Sequence, residues 1–292
     1  MNWLIAITIS VITGSSGAIL QRVLMKNKVS GSYAYSALSQ IFSAVVCLII
    51  AFMIGKQNFP TIEQIFSNNL YLFILFSSFL YALHAVFGFK ALQSVEVSRF
   101  SVIYSLRSVI TIIAATMFLD EKLTFVQLFG ALLILLAIIF LNTSSLKSLF
   151  KFSKGEIYVL LASVCFGVAT VSDKYLLDWF DYVPYLFIDF LVPGLILFLA
   201  RPKSFNESVG LIKQKLGPKI ILFSTFYAIA AITFFAALAQ ADNASLVSGV
   251  GQIGTIVTVL MGIFILKERK DIVKKLVATM LSFVGLILLI IK

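Results

Sequence analysis

Ten apolar runs of membrane-spanning length follow one another along this chain, and they constrain its fold more than any other feature. A helix needs about 20 apolar residues to cross the hydrocarbon core of a bilayer. Strands of a membrane barrel would instead alternate polar and apolar residues over about 10 residues. The sequence therefore predicts an all-α membrane protein with ten transmembrane helices, at 3–21, 33–54, 70–89, 97–119, 123–141, 156–176, 182–200, 219–239, 244–266 and 273–291.

Composition excludes a soluble fold and leaves no length for a separate catalytic domain. Hydrophobic residues make up 60% of the 292 residues and charged residues 12%, whereas an average soluble domain has about 25% charged residues. The formal net charge is +10, but most Lys and Arg residues lie between the apolar runs. We therefore interpret them as loop charges that orient the chain in the lipid bilayer, and we expect no nucleic acid partner.

An internal repeat divides the chain into two halves. The segment Tyr81–Leu92 matches Tyr227–Leu238 at an offset of 146 residues, and further on Glu121 matches Glu268 at an offset of 147. Each half contains five spans. Because five is odd, the second copy enters the membrane from the opposite side, as in secondary transporters with inverted repeats.

We place the two predicted repeats at residues 1–146 and 147–292. Short motifs recur at matching positions in them, namely Thr13-Gly14 and Phe166-Gly167 in the first spans, Asp120-Glu121-Lys122 and Lys267-Glu268-Arg269 after the fourth spans, and Gly130 and Gly285 in the fifth spans. In these features the whole chain resembles the EamA-type transporters of the drug/metabolite transporter superfamily. It departs from them in two ways: the tryptophan usual before the first-span glycine is absent, and Ser108 and Thr255 replace the usual prolines.

The resemblance implies a secondary transporter that exports small metabolites, such as amino acids or other small anionic or zwitterionic solutes, by alternating access. It also implies a multi-pass protein of a bacterial or archaeal plasma membrane with both termini in the cytoplasm. The charge distribution predicts the opposite orientation. With ten spans, 18 of the 23 Lys and Arg residues lie on the face opposite the termini and 4 on the terminal face, which places the termini outside under the positive-inside rule. We favour the charge count.

An ionisable group in mid-membrane costs at least a few kcal/mol and is therefore a functional candidate, and three such residues stand out. These are His84 in span three, Arg107 in span four and Asp189 in span seven. Arg107 suits a substrate carboxylate or phosphate. Asp189 suits a proton or a substrate amine, and His84 suits proton coupling. The alternative for each is a buried polar contact that fixes helix packing, in which Arg107 and Asp189 neutralise one another.

Polar stripes at helical spacing extend this set. Span four carries Ser101, Tyr104, Ser108 and Thr111 at steps of three or four residues, and span nine repeats such a stripe around Gln252. Small polar stripes also serve helix packing in lipid. We predict that they line a central chamber, whose substrate-binding residues are Gln40, Tyr81, His84, Tyr104, Arg107, Asp189, Tyr227 and Gln252.

Other kinds of chemistry have little support in the sequence. Cys47 and Cys165 show no metal-ligand or redox spacing, there is one histidine, and no ATP-binding motif occurs. We expect no cofactor, metal site or catalytic residues, and protons are the candidate coupling ion for a small-molecule substrate. Glu121 and Glu268 are predicted to cap or anchor tight turns. The oligomeric state stays open between monomer and homodimer.

Two other classes of function remain. The chain could be a non-transporting structural or receptor protein in which the polar stripes are packing seams. It could also be an intramembrane enzyme that acts on lipid. The enzyme would need acid/base or metal-binding residues that converge near one membrane interface, whereas the sequence offers scattered single groups.

Overall fold

A computed structural model describes residues 2–26, 31–55, 58, 60–118, 124–142, 152–214, 216–240, 251 and 253–291. Every regular element within these ranges is an α-helix. The helices are α1 (Trp3–Met25), α2 (Ser32–Ile54), α3 (Ile62–Ser67), α4 (Leu70–Ser94), α5 (Val97–Tyr104), α6 (Leu106–Phe118), α7 (Phe125–Asn142), α8 (Lys154–Leu176), α9 (Tyr182–Ala200), α10 (Lys203–Lys213), α11 (Gly217–Gln240), α12 (Ile253–Phe264) and α13 (Ile272–Ile290).

Eight segments in the described part of the chain are long and apolar enough to cross a membrane. They are α1, α2, α4, the α5–α6 pair, α8, α9, α11 and α13. The shorter apolar helices α7 and α12 lie where the sequence predicts the fifth and ninth spans. The structure thus confirms an all-α membrane fold, while the number of ten transmembrane helices stays a prediction.

Helix packing follows the repeat. Helix α1 packs along α11, and α4 packs along α8. These two contacts are equivalent if α1 corresponds to α8 and α4 to α11. The other extensive pairs, α2 with α9 and α7 with α13, join each helix to its own counterpart. This is the pattern that two repeats related by a two-fold axis produce. The predicted boundary between residues 146 and 147 lies outside the described residues.

The aligned glycines of the fifth spans lie at the crossing of α7 and α13. A Cβ atom on Gly130 would lie 2.6 Å from the carbonyl oxygen of Gly285, and one on Gly285 would lie 2.7 Å from that of Gly130. Real Cβ atoms do not approach other atoms so closely, so both positions require glycine. In lipid, such small residues let helix backbones pack tightly.

A buried glutamate joins the two halves at the face that carries most of the Lys and Arg residues. Glu268 follows α12 and is 6% exposed. Its Oε1 accepts a hydrogen bond from the backbone N–H of Val97 at 2.8 Å, and its Oε2 accepts from the N–H and Oγ of Ser98 at 3.0 and 2.5 Å. It therefore caps α5, whose own N-cap residue Glu96 provides no side-chain cap. Glu268 is a capping residue, but for a helix of the other half.

Two buried cations complete this junction. The Arg22 Nε lies 3.9 Å from Glu268 Oε1, and its Nη1 donates to the carbonyl of Leu92 at 2.5 Å. The Lys275 Nζ lies 2.6 Å from Glu96 Oε2 and donates to the Glu268 carbonyl at 2.8 Å. The junction therefore links α1, α5 and α13 through buried charges with partners of opposite sign.

We expect Glu268→Ala to destabilise the fold strongly. The change removes the acceptor of three hydrogen bonds and leaves the guanidinium of Arg22 buried without its carboxylate, a loss of about 3–5 kcal/mol for a broken buried pair. Thermal unfolding of the purified protein in detergent measures it. The control is Glu207→Ala, whose ion pair with Arg201 is partly exposed and should contribute at most about 1 kcal/mol. Equal shifts for both variants would contradict the role of Glu268.

Candidate functional site

The fourth span is interrupted where the candidate residues lie. Helix α5 ends at Tyr104 and α6 begins at Leu106. At Ser105 between them, the backbone N–H bonds the carbonyls of both Ser101 and Val102, and the Oγ donates to Val102 at 2.6 Å. A side chain that bonds its own preceding turn competes with the helical ladder. Tyr104 therefore lies directly before an irregular turn inside the span, and Arg107 lies shortly after it.

Arg107 lies two residues after this turn, between two aromatic rings. Its Cζ is 4.6 Å from the ring centroid of Tyr104 and 4.9 Å from that of Phe166 on α8, both within cation–π distance. Its side chain is half-buried. Among the described residues, no carboxylate oxygen lies within 4 Å of its guanidinium nitrogens. In the described part of the chain, the Arg107 guanidinium thus contacts aromatic rings and forms no ion pair with an acidic side chain.

Close packing of α8 against α6 positions Arg107. A Cβ atom on Gly167 would lie 2.7 Å from the carbonyl oxygen of Arg107 and 2.8 Å from the Cβ of Ile110. Thr111 adds a hydrogen bond of 3.1 Å from its Oγ1 to the Gly167 carbonyl. The first-span glycine of the other half, Gly14, is packed less tightly, because its Cβ would lie 3.6 Å from Ala230.

His84 of α4 is fixed by hydrogen bonds at both ring nitrogens. Its Nδ1 lies 3.2 Å from the carbonyl oxygen of Ala162 on α8, and its Nε2 lies 3.4 Å from the Tyr104 hydroxyl. A carbonyl only accepts, so Nδ1 carries the hydrogen and Nε2 accepts from Tyr104. The two rings are stacked at 5.5 Å. His84 therefore positions Tyr104, which in turn contacts Arg107; a role of His84 in proton coupling stays a prediction.

A second group, the carboxylate cluster, consists of Tyr81, Asp173, Tyr185 and Asp189. The hydroxyls of Tyr81 and Tyr185 donate to the two oxygens of Asp173 at 2.5 and 2.6 Å. Asp189 is 8% exposed, and its buried Oδ1 has no hydrogen-bond partner among the described residues. The charges of Asp173 and Asp189 act on each other. Asp189 is therefore within electrostatic range of another acid, Asp173, and the described residues show no ion pair between Asp189 and Arg107.

Aromatic side chains connect Arg107 to the carboxylate cluster. The ring of Tyr81 lies 5.6 Å from that of Phe166, which also faces Arg107. Tyr227 of α11 packs its ring on Phe190 at 5.5 Å, and the charges of both Arg107 and Asp189 act on its hydroxyl. The structure thus brings together six of the predicted residues, Tyr81, His84, Tyr104, Arg107, Asp189 and Tyr227.

The other two predicted residues are Gln40 and Gln252. Gln40 is 5% exposed and packs against α9. A Cβ atom built on Gly194 of α9 would lie 3.2 Å from the Cβ of Gln40. Its Oε1 is buried and has no hydrogen-bond partner in the part of the chain that the structure describes. Gln252 lies outside the described residues.

Part of the polar stripes serves helix packing. In addition to the bond from Thr111, Ser43 of α2 donates to the carbonyl of Ser224 on α11 at 3.1 Å. Thr258 of α12 donates to the Oγ of Ser15 on α1 at 3.0 Å. These hydroxyls join neighbouring helices, as small polar residues do in membranes.

Asp173 is the functional candidate that sequence reasoning missed. It lies three residues before the predicted end of span six at residue 176, next to Lys174. A charge near the end of a span resembles loop charge, so the position attracts no attention. The available signal was a carboxylate within an apolar run, which is the criterion that selected Asp189.

Comparisons with known proteins identify the family. The model of the EamA-like transporter family matches residues 1–143 and 153–291, which is nearly the whole chain in two copies. The chain belongs to the EamA-like transporter family. This confirms the resemblance noted in the sequence and makes the protein an integral, multi-pass membrane protein of a transporter family within the drug/metabolite transporter superfamily. EamA-like proteins are transporters and not enzymes, and the family implies a small-molecule substrate.

A solved structure entitled "Crystal structure of protein" has a similar fold. It shares 14% sequence identity with this chain at a TM-score of 0.53, and the match covers 96% of this chain and 95% of the other. At this identity the likeness concerns the fold alone. Among curated proteins, none matches.

We expect Gly167→Ala to disturb the packing around Arg107 and Gly14→Ala to be tolerated. The new methyl group at residue 167 collides with backbone beside Arg107, and overpacking of this kind costs about 1–3 kcal/mol. At residue 14 the methyl group meets only ordinary van der Waals contact. Thermal unfolding midpoints of the two variants, compared with the unmodified protein, check this. A Gly167→Ala midpoint at or above that of Gly14→Ala would contradict the tight contact.

Proposed function

We propose that this chain is a secondary transporter for small anionic or zwitterionic metabolites, amino acids among them, and that Arg107 binds the anionic group of the substrate. The observation that carries the proposal is the guanidinium of Arg107, halfway along a membrane span, with aromatic contacts and no carboxylate partner among the described residues. A charge at this depth is costly and usually functional. The planar guanidinium binds a carboxylate or phosphate through two parallel hydrogen bonds.

Aromatic side chains around Arg107 suit the rest of a small organic substrate. The rings of Tyr104 and Phe166 flank the guanidinium, and those of His84 and Tyr81 continue the surface. Binding sites for small molecules commonly combine such apolar walls with a few polar groups that fix orientation. We infer that the charge selects the anionic group and that the rings accept side chains of varied shape.

The repeat provides the means of alternating access. Two halves with equivalent helix contacts can rock about a central site, as inverted repeats do in other secondary transporters. The turn at Ser105 lies next to Arg107 in the fourth span. We propose that this turn changes its backbone angles during the cycle, because element ends absorb such changes more readily than continuous helix.

Protons are the proposed coupling ion, and the carboxylate cluster is the proposed place where the proton is held. Asp189 has a buried oxygen without a hydrogen-bond partner among the described residues, and its charge interacts with that of Asp173. A proton on one of the two carboxyl groups removes their mutual repulsion and supplies a donor. Titratable groups that interact with Asp189 come from four other helices and from its own: Cys47 on α2, Tyr81 on α4, Asp173 on α8, Tyr227 on α11 and Tyr185 on α9.

Direction, location and orientation complete the proposal. Export and a bacterial or archaeal plasma membrane follow from what the sequence resemblance implies, and the Lys and Arg distribution places both termini outside the cytoplasm. A reporter enzyme that is active only in the cytoplasm, fused to the C-terminus, tests the orientation. Activity of this fusion would reverse the proposed orientation without affecting the site.

We expect substitutions of Arg107 to weaken the binding of anionic solutes. A thermal-shift screen of purified protein against a metabolite panel identifies a ligand, since a ligand that binds only the folded state raises its apparent stability. Counterflow of that ligand, labelled, in proteoliposomes then measures transport. Arg107→Ala should weaken binding of an anionic solute by about 10- to 100-fold, the value of a charged hydrogen-bonded contact, and Arg107→Lys should weaken it less.

The matched control is Arg269→Ala, which removes an exposed arginine and should leave counterflow unchanged. Unchanged counterflow in folded Arg107→Ala would overturn the proposal. Binding without counterflow in the unmodified protein would favour a receptor, and a new chemical product would favour an enzyme.

We expect the carboxylate cluster to be needed for the pH gradient and not for exchange. In proteoliposomes with a pH gradient, Asp189→Asn and Asp173→Asn should each abolish gradient-driven accumulation of the ligand, because neither amide takes up a proton. Counterflow, which needs no net proton movement, should persist in both. Asp178→Asn, at an exposed position just after α8, is the control. If both variants accumulate ligand as well as Asp178→Asn does, the cluster is not the coupling site.

A further inference from the structure

A separate cavity of about 390 Å³ opens at the basic face of the protein. It lies where α4 and α9 end and where α2 and α8 begin. Its lining includes Ser32, Tyr33, Lys90, Gln93, Tyr158 and Arg201, a set with hydroxyl, amide and cationic groups and no acidic side chain. The cavity is therefore rich in hydrogen-bond donors.

Two cations share one aromatic ring in this cavity. The Lys90 Nζ lies 5.3 Å from the ring centroid of Tyr33 and 5.3 Å from that of Tyr158. The Arg201 Cζ lies 5.4 Å from the same Tyr33 ring. These contacts hold two positive charges at the lining of one cavity, which makes the cavity attractive to an anion.

One of the two cations, Arg201, has an acidic partner, Glu207, which occupies only part of its hydrogen-bonding capacity. Glu207 accepts one hydrogen bond from Nη2 of Arg201 at 2.7 Å, and a guanidinium has five N–H donors. In the ranges that the structure covers, Lys90 has no carboxylate oxygen within 4 Å. Lys90 and the remaining donors of Arg201 are therefore available to a ligand.

The start of α2 adds backbone donors to the same cavity. Gly31, its N-cap residue, has a φ of 97° and, as a glycine, no side chain with which to cap the helix. The first N–H groups of a helix have no acceptor within the helix and carry partial positive charge. Since Gly31, Ser32 and Tyr33 all line the cavity, this helix end reinforces the two cations.

We propose that this cavity binds an oxyanion, such as the phosphate of an anionic lipid head group or free phosphate. Lys90 lies six residues, about 9 Å along α4, from His84, so the cavity is near the membrane surface and separate from the Arg107 site. Basic pockets between membrane helices on the positively charged side are suited to lipid phosphates. The inference does not depend on the proposed transport function.

Two probes test the oxyanion site and separate its sources. The purified chain, in nanodiscs of phosphatidylcholine, is titrated with phosphatidylglycerol and separately with inorganic phosphate against chloride at equal ionic strength. Bound lipid is counted by native mass spectrometry, and phosphate is followed by thermal shift. Lys90→Gln and Arg201→Gln should each weaken binding about fivefold, and the double variant about 25-fold.

Matched variants make the result specific. Lys203→Gln removes an exposed lysine close in sequence to Arg201 but outside the cavity lining, and it should bind as the unmodified protein does. Lys90→Arg keeps the charge and should retain binding. Phosphatidylglycerol binding alone identifies a lipid head group, and phosphate binding identifies a soluble anion. If neither probe binds, or if both single variants bind as tightly as Lys203→Gln, the proposed site does not exist.

Discussion

The carboxylate of Glu268 is the interaction on which the arrangement of this protein most depends. It accepts the first backbone N–H groups of α5 from the opposite repeat, so the start of the fourth span is positioned by the second half of the chain. From Ser98 to Arg107 the chain advances only about 14 Å. The position of the guanidinium therefore depends on a bond between halves, which Arg22 and Lys275 support through buried charges.

Much of this architecture could be predicted from residue patterns. The length of the apolar runs predicts membrane helices, and a repeat with an odd number of spans predicts two halves of opposite orientation. A glycine in each fifth span, Gly130 and Gly285, is visible in the sequence, but the contact between them is known only from the structure. The site could be predicted only in part. Spacing within one span places Tyr104 next to Arg107, but periodicity does not reveal which helix lies opposite. The bond from Tyr81 to Asp173 joins residues 92 positions apart, and it exists only because α4 docks along α8.

The charges of the site do not share the symmetry of the backbone. At the repeat offset of 147 residues, Arg107 corresponds to Gly254, so one half provides a guanidinium where the other provides no side chain. Similarly, Gly167 contacts backbone while its counterpart Gly14 does not. A symmetric scaffold therefore carries an asymmetric arrangement of charges.

Helix α8 contacts all of the polar regions in turn. Tyr158 faces the basic cavity, the carbonyl of Ala162 accepts from His84, Phe166 faces Arg107, and Asp173 accepts from Tyr81. These residues are separated by four, four and seven positions, which places them on one side of a helix. Because a helix moves as a rod, a small rotation of α8 about its axis displaces all four contacts together. Contacts at different depths along the span thereby depend on the position of a single helix.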